Sequence, residues 1–139
     1  MSAPYFQGGS LENCDLDGVK LLDAYFEGVT MFGASFESAD LGKCEFYLVL
    51  AMGASFKSAL MSGAKFLGGS FEDVNFSYAD LTGASFLVDN MGGEIDLSGA
   101  DFTHAKLNNT IFSGALYSPQ TKFPDDFLPE SAGLRLKEI

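Results

Sequence analysis

The sequence has few of the basic residues that nucleic-acid-binding surfaces contain. Its 139 residues include no tryptophan, only 19% are charged, and acids outnumber bases by 19 to 8, a formal net charge of −11. Nucleic-acid binding depends on Lys and Arg side chains that neutralise phosphates. The shortage of bases therefore argues against a direct nucleic-acid ligand.

Long apolar runs are missing as well. No segment approaches the roughly 20 apolar residues that a membrane-spanning helix needs. The opening MSAPYFQGGS lacks the basic and apolar regions of a signal peptide. We therefore expect no membrane association and a cytoplasmic location.

No candidate catalytic group has the neighbours that catalysis requires. His104 is the single histidine, and neither cysteine stands at metal-ligand spacing from it. No phosphate-binding loop or dinucleotide fingerprint occurs, and acidic pairs such as Asp15 and Asp17 are typical of solvated surfaces. We predict that the protein is not an enzyme and that it uses no metal or cofactor.

What the sequence has instead is a period of five residues. Every fifth residue from Phe6 to Met91 is apolar, and the series resumes one residue out of frame, from Leu97 to Tyr117, after a slip within residues 92–96. Most of the 14 phenylalanines stand at these central positions. The residue two places before each centre is usually small, and the residue two places after it is often glycine.

A five-residue period fits neither an α-helix nor a long alternating strand, so the chain must turn within each unit. Residues two apart in an extended segment point to the same side, which puts the small and the large residue inward together. Glycine then allows the turn. The pattern predicts a coil with short straight sides whose inward residues stack on those of the next coil. Cys14 and Cys44 fall at small inward positions in different coils, so we predict buried thiols rather than a disulfide.

Units such as Ala39-Asp40-Leu41, Ala79-Asp80-Leu81 and Ala100-Asp101-Phe102 resemble the repeats of the pentapeptide-repeat family, over about residues 4–117. The resemblance implies an all-β fold, a right-handed quadrilateral β-helix with four pentads per coil and about six coils. Residues 1–117 would form this domain. Residues 118–139, which break the repeat with three prolines, are predicted to be a C-terminal cap with a candidate short helix after Pro129. The Thr121–Gly133 run is similar to tails of cyanobacterial members.

Four sides per coil sort the central residues into columns that should form the core. Two opposite columns are aromatic. The first contains Phe6, Phe26, Phe46, Phe66, Phe86 and Leu107, and the second contains Leu16, Phe36, Phe56, Phe76, Leu97 and Tyr117.

One outward-facing corner departs from the polar composition of the other walls. Its members, which we call the apolar corner, are Phe32, Tyr47, Leu48, Leu50, Met52, Leu67, Leu87 and Val88. Contiguous apolar surface often marks a binding site, so this corner is a candidate surface for an unidentified protein partner. Two alternatives are that the Tyr47–Met52 segment bulges, or that the tail folds back over it.

Two further regions need a structural explanation: the frame slip and the N-terminal edge. The frame slip puts Asp89 where a small inward residue belongs, and we expect this side to bulge outward and expose the carboxylate. At the N-terminal edge, either Met1 to Tyr5 lie across the first coil or that coil stacks on another molecule. A homodimer through this edge or through the apolar corner would follow from the second interpretation.

Two functions are considered. The first is a non-catalytic scaffold that presents flat faces to a protein partner. The second follows from resemblance to the quinolone-resistance branch of the family, which mimics duplex DNA and binds type II topoisomerases such as gyrase. The best acidic ladder, Asp40, Asp80 and Asp101, is interrupted by Leu60 and preceded by Lys20, so mimicry ranks second.

Overall fold

The computed structural model describes residues 3–138, and the chain forms a four-sided parallel β-helix over this range, with no helical segment. The extended segments are short because a turn follows each pentad. The named strands are β1 (Tyr5–Gln7), β2 (Tyr25–Glu27), β3 (Glu45–Tyr47), β4 (Lys65–Leu67), β5 (Gly69–Ser70), β6 (Ser85–Leu87), β7 (Ile95–Asp96), β8 (Ile111–Phe112), β9 (Leu116–Tyr117) and β10 (Arg135–Leu136).

The four sides are parallel ladders that run along the rod. Side 1 is the sheet β1-β2-β3-β4-β6-β8, and side 2 contains the sheet β5-β7-β9-β10. Sides 3 and 4 are held by single bridges between successive turns. Side 3 follows Asp15, Ser35, Ser55, Asn75, Asp101 and Lys122, and side 4 follows Lys20, Asp40, Leu60, Asp80 and Lys106. The predicted quadrilateral β-helix is confirmed, with about seven turns once β10 is included.

The corners between sides are made by residues in the left-handed backbone conformation, two places after each centre. Gly53 has φ +72° there, and a glycine pays no steric penalty for it. Other residues adopt the same conformation where glycine is absent, such as Leu48 (φ 51°) and Tyr78 (φ 61°). The turn is therefore imposed by the stacking of the whole helix and not by glycine alone.

The core is a pair of phenylalanine stacks that meet edge to face. On side 1, Phe46 lies between Phe26 and Phe66, with ring centroids 5.0 and 4.8 Å apart and nearly parallel planes. Across the core its edge meets Phe56 of side 3 at 5.9 Å. The inward placement predicted for the ladder is confirmed, because these residues are fully buried: Phe26, Phe36, Phe46, Phe56, Phe66, Phe76 and Phe86. Phe6 stacks on Phe26 at 4.8 Å but is only partly buried.

The predicted columns are wrong beyond Phe86. The chain inserts a six-residue excursion there rather than slipping by one residue, so that Phe86 pairs with Phe112, not with Leu107. Phe76 likewise stacks on Phe102 and not on Leu97, at 5.1 Å. An insertion of one full pentad plus one residue leaves the same frame as a slip of one, so counting by fives cannot distinguish them.

The six inserted residues, 89–94, form a loop together with Val88, and two expectations about this 88–94 loop fail. Met91, counted as an inward centre, is 87% exposed. Asp89, expected to be exposed, is buried, with 8% exposure. Its Oδ1 accepts hydrogen bonds from the backbone N–H groups of Met91 (2.7 Å) and Gly93 (2.8 Å). These amide donors compensate for the loss of water around the carboxylate, which the sequence pattern could not show.

Residues 118–138 continue the stack and then close over its end. Phe123 stacks on Phe102 at 5.7 Å, and Phe127 stacks on Phe123 at 5.0 Å. Leu134 is buried, and β10 pairs with β9. The short helix considered after Pro129 does not form; turns occupy that stretch. No part of residues 3–138 forms a helix long and apolar enough to cross a bilayer.

An ion pair clasps β10 to the wall of side 2. Lys137 Nζ lies 2.6 Å from Asp96 Oδ2, and Asp96 also accepts a hydrogen bond from the Ser98 N–H at 2.9 Å. Beside this pair, Arg135 contacts Glu94 of the 88–94 loop. The clasp therefore links the last strand to the body of the helix.

Lowering the pH is expected to release this clasp. Burial by itself raises the pKa of Asp96, but the hydrogen bonds from Lys137 and Ser98 together outweigh it and hold that pKa below its ordinary value of 3.8. Because the folded-state pKa is the lower one, the stabilisation is present above pH 3.8 and is lost as the pH falls through the depressed pKa. In urea titrations, the difference in unfolding free energy between the wild type and Asp96→Asn should be constant near neutral pH and shrink below pH 3.8. A difference that persists unchanged in strong acid would contradict this.

Candidate interaction surface

The apolar corner lies along the edge between sides 1 and 2. On side 1, Tyr47, Leu67 and Leu87 are direct neighbours in the parallel register, and all three point outward and are half-buried. Leu48 and Val88 follow them at the corner itself, each 41% exposed. The column therefore presents a continuous apolar strip across three successive turns.

Side 2 extends this strip around the corner. Leu50 stands between Thr30 and Ser70 in the ladder and is 41% exposed, and Met52 is 38% exposed. Phe32 lies one turn below Met52, because the N–H of Gly33 donates to the Met52 carbonyl at 3.1 Å. The eight side chains therefore lie on two adjoining sides of the helix and on the corner between them.

Neither alternative reading of this region fits the structure. The Tyr47–Met52 segment does not bulge, because Leu50 keeps its place in the side 2 ladder. The tail does not cover it either, since β10 pairs with β9 at the far end of the helix. The apolar side chains of this segment therefore remain at the surface.

The segment that does reach the apolar corner is the 88–94 loop. The Tyr47 hydroxyl donates to Asn90 Oδ1 at 2.6 Å, which spans two turns of the helix. This bond sets Met91, the most exposed of the large apolar residues in the described range, beside the corner. Sequence reasoning missed Met91 because its position in the five-residue count assigned it to the core.

The charged columns do not form the acidic ladder expected from the sequence. Asp101 lies on side 3, between Asn75 and Lys122, and not on side 4. Side 4 reads Lys20, Asp40, Leu60, Asp80 and Lys106, so its two acids are separated by a leucine and bounded by lysines. The acidic charge is therefore dispersed over the walls.

The residues with chemical potential are scattered. His104 packs its ring against Tyr78, with centroids 4.9 Å apart, and both are corner residues. Cys14 and Cys44 are free thiols. Burial raises the pKa of Cys44 to about 12, and its thiol donates to the Leu21 carbonyl at 2.9 Å, which disfavours the reactive thiolate. Within residues 3–138 no group of three or more His, Cys, Asp or Glu residues has metal-binding geometry.

A groove in the described part of the chain lies elsewhere, beside the tail. It has a volume of about 740 Å³, and its walls include Glu72, Ser98, Gln120 and Leu136. No histidine or cysteine lines it, and its charged residues include Asp73 and Lys137.

Comparison with known proteins identifies the repeat. A model of pentapeptide repeats matches the chain in eight copies, over residues 6–47, 52–86 and 94–116. The second of the two stretches between the matched segments, 87–93, contains Asn90, which accepts the hydrogen bond from Tyr47 of the apolar corner. A search of curated protein sequences gives no significant match.

Several solved structures are similar to this chain. HetL from Nostoc sp. strain PCC 7120, a pentapeptide-repeat protein involved in heterocyst differentiation regulation, is 12% identical, with a TM-score of 0.53 over 86% of this chain and 84% of that chain. Rfr23 from the cyanobacterium Cyanothece 51142 is 19% identical, with a TM-score of 0.46 over 86% of both chains. Trypsin-treated QnrB1, a plasmid-mediated fluoroquinolone resistance protein, is 15% identical, with a TM-score of 0.47 over 98% of this chain and 92% of that chain.

At 12% identity, HetL supports the architecture and nothing finer. The family model, in contrast, matches well over half of the sequence, in the same units that build the four sides. The chain therefore belongs to the pentapeptide-repeat family.

Proposed function

We propose that this protein is a non-catalytic scaffold that binds a protein partner through the apolar corner. The observation that carries the proposal is that the loop at the break in the repeat returns to this corner. The 88–94 loop departs from the repeat, and the Tyr47–Asn90 hydrogen bond joins it to the apolar strip of Tyr47, Leu67 and Leu87.

The physical properties of the corner suit a contact surface. Burying one leucine or methionine side chain against a partner contributes about 1.5–3 kcal/mol. Tyr47, Leu67 and Leu87 stand on strands that are paired on both sides, so little backbone freedom would be lost there on binding. Met91 adds a flexible apolar side chain that can adapt to an irregular partner surface.

Replacing Leu67 with glutamate tests this proposal directly. The charge would stand in the centre of the Tyr47-Leu67-Leu87 column, where a partner would have to desolvate it, so we expect loss of the partner in affinity capture from the native cell extract. Tyr47→Lys should act in the same way. Leu60→Glu is the matched control, because Leu60 is also an exposed leucine, with 53% exposure, but lies on side 4.

The proposal predicts that at least one protein is captured by the wild type and by Leu60→Glu but not by Leu67→Glu. An identical set of proteins captured by all three, with the far-ultraviolet circular dichroism of each variant unchanged, would contradict it. Reciprocal capture with the identified partner then separates direct from indirect binding.

DNA mimicry toward a type II topoisomerase is the weaker proposal. It would need acidic side chains aligned along one face at the spacing of phosphates, about one charge per 1.7 Å of duplex. Side 4 instead interleaves Asp40 and Asp80 with Lys20, Leu60 and Lys106. A gyrase supercoiling assay distinguishes the two functions, because a scaffold that uses the apolar corner should leave supercoiling unchanged.

A further inference from the structure

The N-terminal end of the helix is uncovered within residues 3–138. In the first turn the inward side chains of Phe6, Leu11, Leu16 and Leu21 are only partly buried. Their counterparts one turn later are fully buried: Phe26, Met31, Phe36 and Leu41. The first turn thus presents the cross-section of the apolar core as a platform.

The backbone at this end is also unpaired in the described range. In the second turn, the N–H groups of Thr30, Ser35 and Asp40 donate back to the first turn, to the carbonyls of Gly9, Cys14 and Val19, at 3.1, 2.9 and 2.8 Å. The equivalent residues of the first turn point their own backbone N–H groups away from the helix, and these N–H groups donate to no described residue. These residues are Ser10, Asp15 and Lys20, one on each of sides 2, 3 and 4.

The opposite end differs, because Phe123, Phe127 and Leu134 close over the core there. Head-to-tail stacking of two helices is therefore blocked at the C-terminal end. An open strand edge with apolar side chains beside it favours pairing with another edge.

We propose that the N-terminal end binds the N-terminal end of a second copy of this chain, head to head about a two-fold axis. The two ends would meet with their strands antiparallel, and in antiparallel pairs a residue exchanges one N–H and one C=O with its neighbour. Ser10, Asp15 and Lys20 each present one such donor and one such acceptor. Identical ends therefore complement one another in hydrogen bonding.

Charge selects among the two-fold arrangements that a four-sided end allows. An axis through sides 1 and 3 sets Asp15 against Asp15 of the second copy, and an axis through sides 2 and 4 sets Lys20 against Lys20. An axis through the corner between sides 2 and 3 sets Asp15 beside the neutral Ser10 of the second copy. An axis through the corner between sides 3 and 4 sets Asp15 beside Lys20 of the second copy, twice, and is the one arrangement of the four that pairs these opposite charges. Both side chains are exposed, and neither forms an ion pair with a described residue. Opposite charges thus fix the register of the pair.

Charge exchange tests this arrangement by sedimentation velocity at low ionic strength. The wild-type chain should be a dimer at micromolar concentration. Asp15→Lys and Lys20→Asp should each weaken it by roughly tenfold or more, because each places like charges together twice. The double variant Asp15→Lys/Lys20→Asp should restore the wild-type dissociation constant. Asp125→Lys, the same charge change in the exposed C-terminal tail, is the control and should have no effect.

A variant that fails to fold would also fail to dimerise. Mixing Asp15→Lys with Lys20→Asp distinguishes the two cases, because only folded chains can form the heterodimer. A chain with lysines at positions 15 and 20 should bind a chain with aspartates at both positions, and form a heterodimer in preference to either homodimer. A wild-type chain that stays monomeric at all concentrations would overturn the proposal. Failure of the double variant to restore the dimer would overturn it as well.

Discussion

Replacing Phe46 with alanine is expected to lower the free energy of unfolding by about 3–5 kcal/mol. The ring is fully buried and is sandwiched by Phe26 and Phe66 at 5.0 and 4.8 Å. It also meets Phe56 edge to face, and such aromatic contacts add about 0.5–1.5 kcal/mol beyond area burial. Stacked turns cannot collapse into the space without breaking strand pairing on side 1, so a cavity would remain.

Urea unfolding followed by circular dichroism measures this loss. Leu60→Ala is the control, because Leu60 is an apolar residue of the same solenoid that points outward and is 53% exposed. Its truncation should change stability by less than about 0.5 kcal/mol. A loss below about 1 kcal/mol for Phe46→Ala would contradict the inward stack as the main source of stability.

Replacing Gly69 with alanine is expected to cost about 3 kcal/mol, from two additive causes. Gly69 has φ +95°, a conformation that is strained for any residue with a Cβ atom. The added Cβ would also overlap the carbonyl oxygen of Val49 in the preceding turn and come within 3.0 Å of its nitrogen. Both obstacles are backbone atoms, which can move only if the spacing between turns opens.

Gly53→Ala separates the two causes. Gly53 has φ +72°, but an added Cβ would meet nothing within 4 Å. Only the conformational cost remains, about 1 kcal/mol. If urea titrations show the same loss of unfolding free energy for both variants, the Gly69 Cα does not lie as close to the Val49 backbone as the structure places it.

Much of this architecture could be predicted because the repeat is local. A small residue and a large one two apart, followed by a turn, place Phe26, Phe46 and Phe66 inward whatever the rest of the chain does. The apolar corner was predictable for the same reason, since Tyr47 and Leu67 are one full turn of 20 residues apart and no insertion lies between them.

The predictions from the sequence fail where the chain leaves the repeat. Leu107 was assigned to the column of Phe86, but Phe112 occupies that place because six residues leave the helix in between. Asp89 was expected in water, but backbone N–H groups of its own loop bind the carboxylate in a buried site. Hydrogen bonds within one loop do not produce a repeating sequence pattern, so they could not be predicted from the period.

The sequence by itself determined a solenoid of stacked phenylalanines with dispersed acidic charge, because side-chain direction in short strands depends only on spacing. The tertiary structure alone decided which turns are neighbours after residue 88 and that the 88–94 loop returns to Tyr47. It also decided that the first turn leaves its core and backbone uncovered in the described range while the last turn is closed. These features depend on contacts between residues far apart in the chain, which a repeating pattern does not encode.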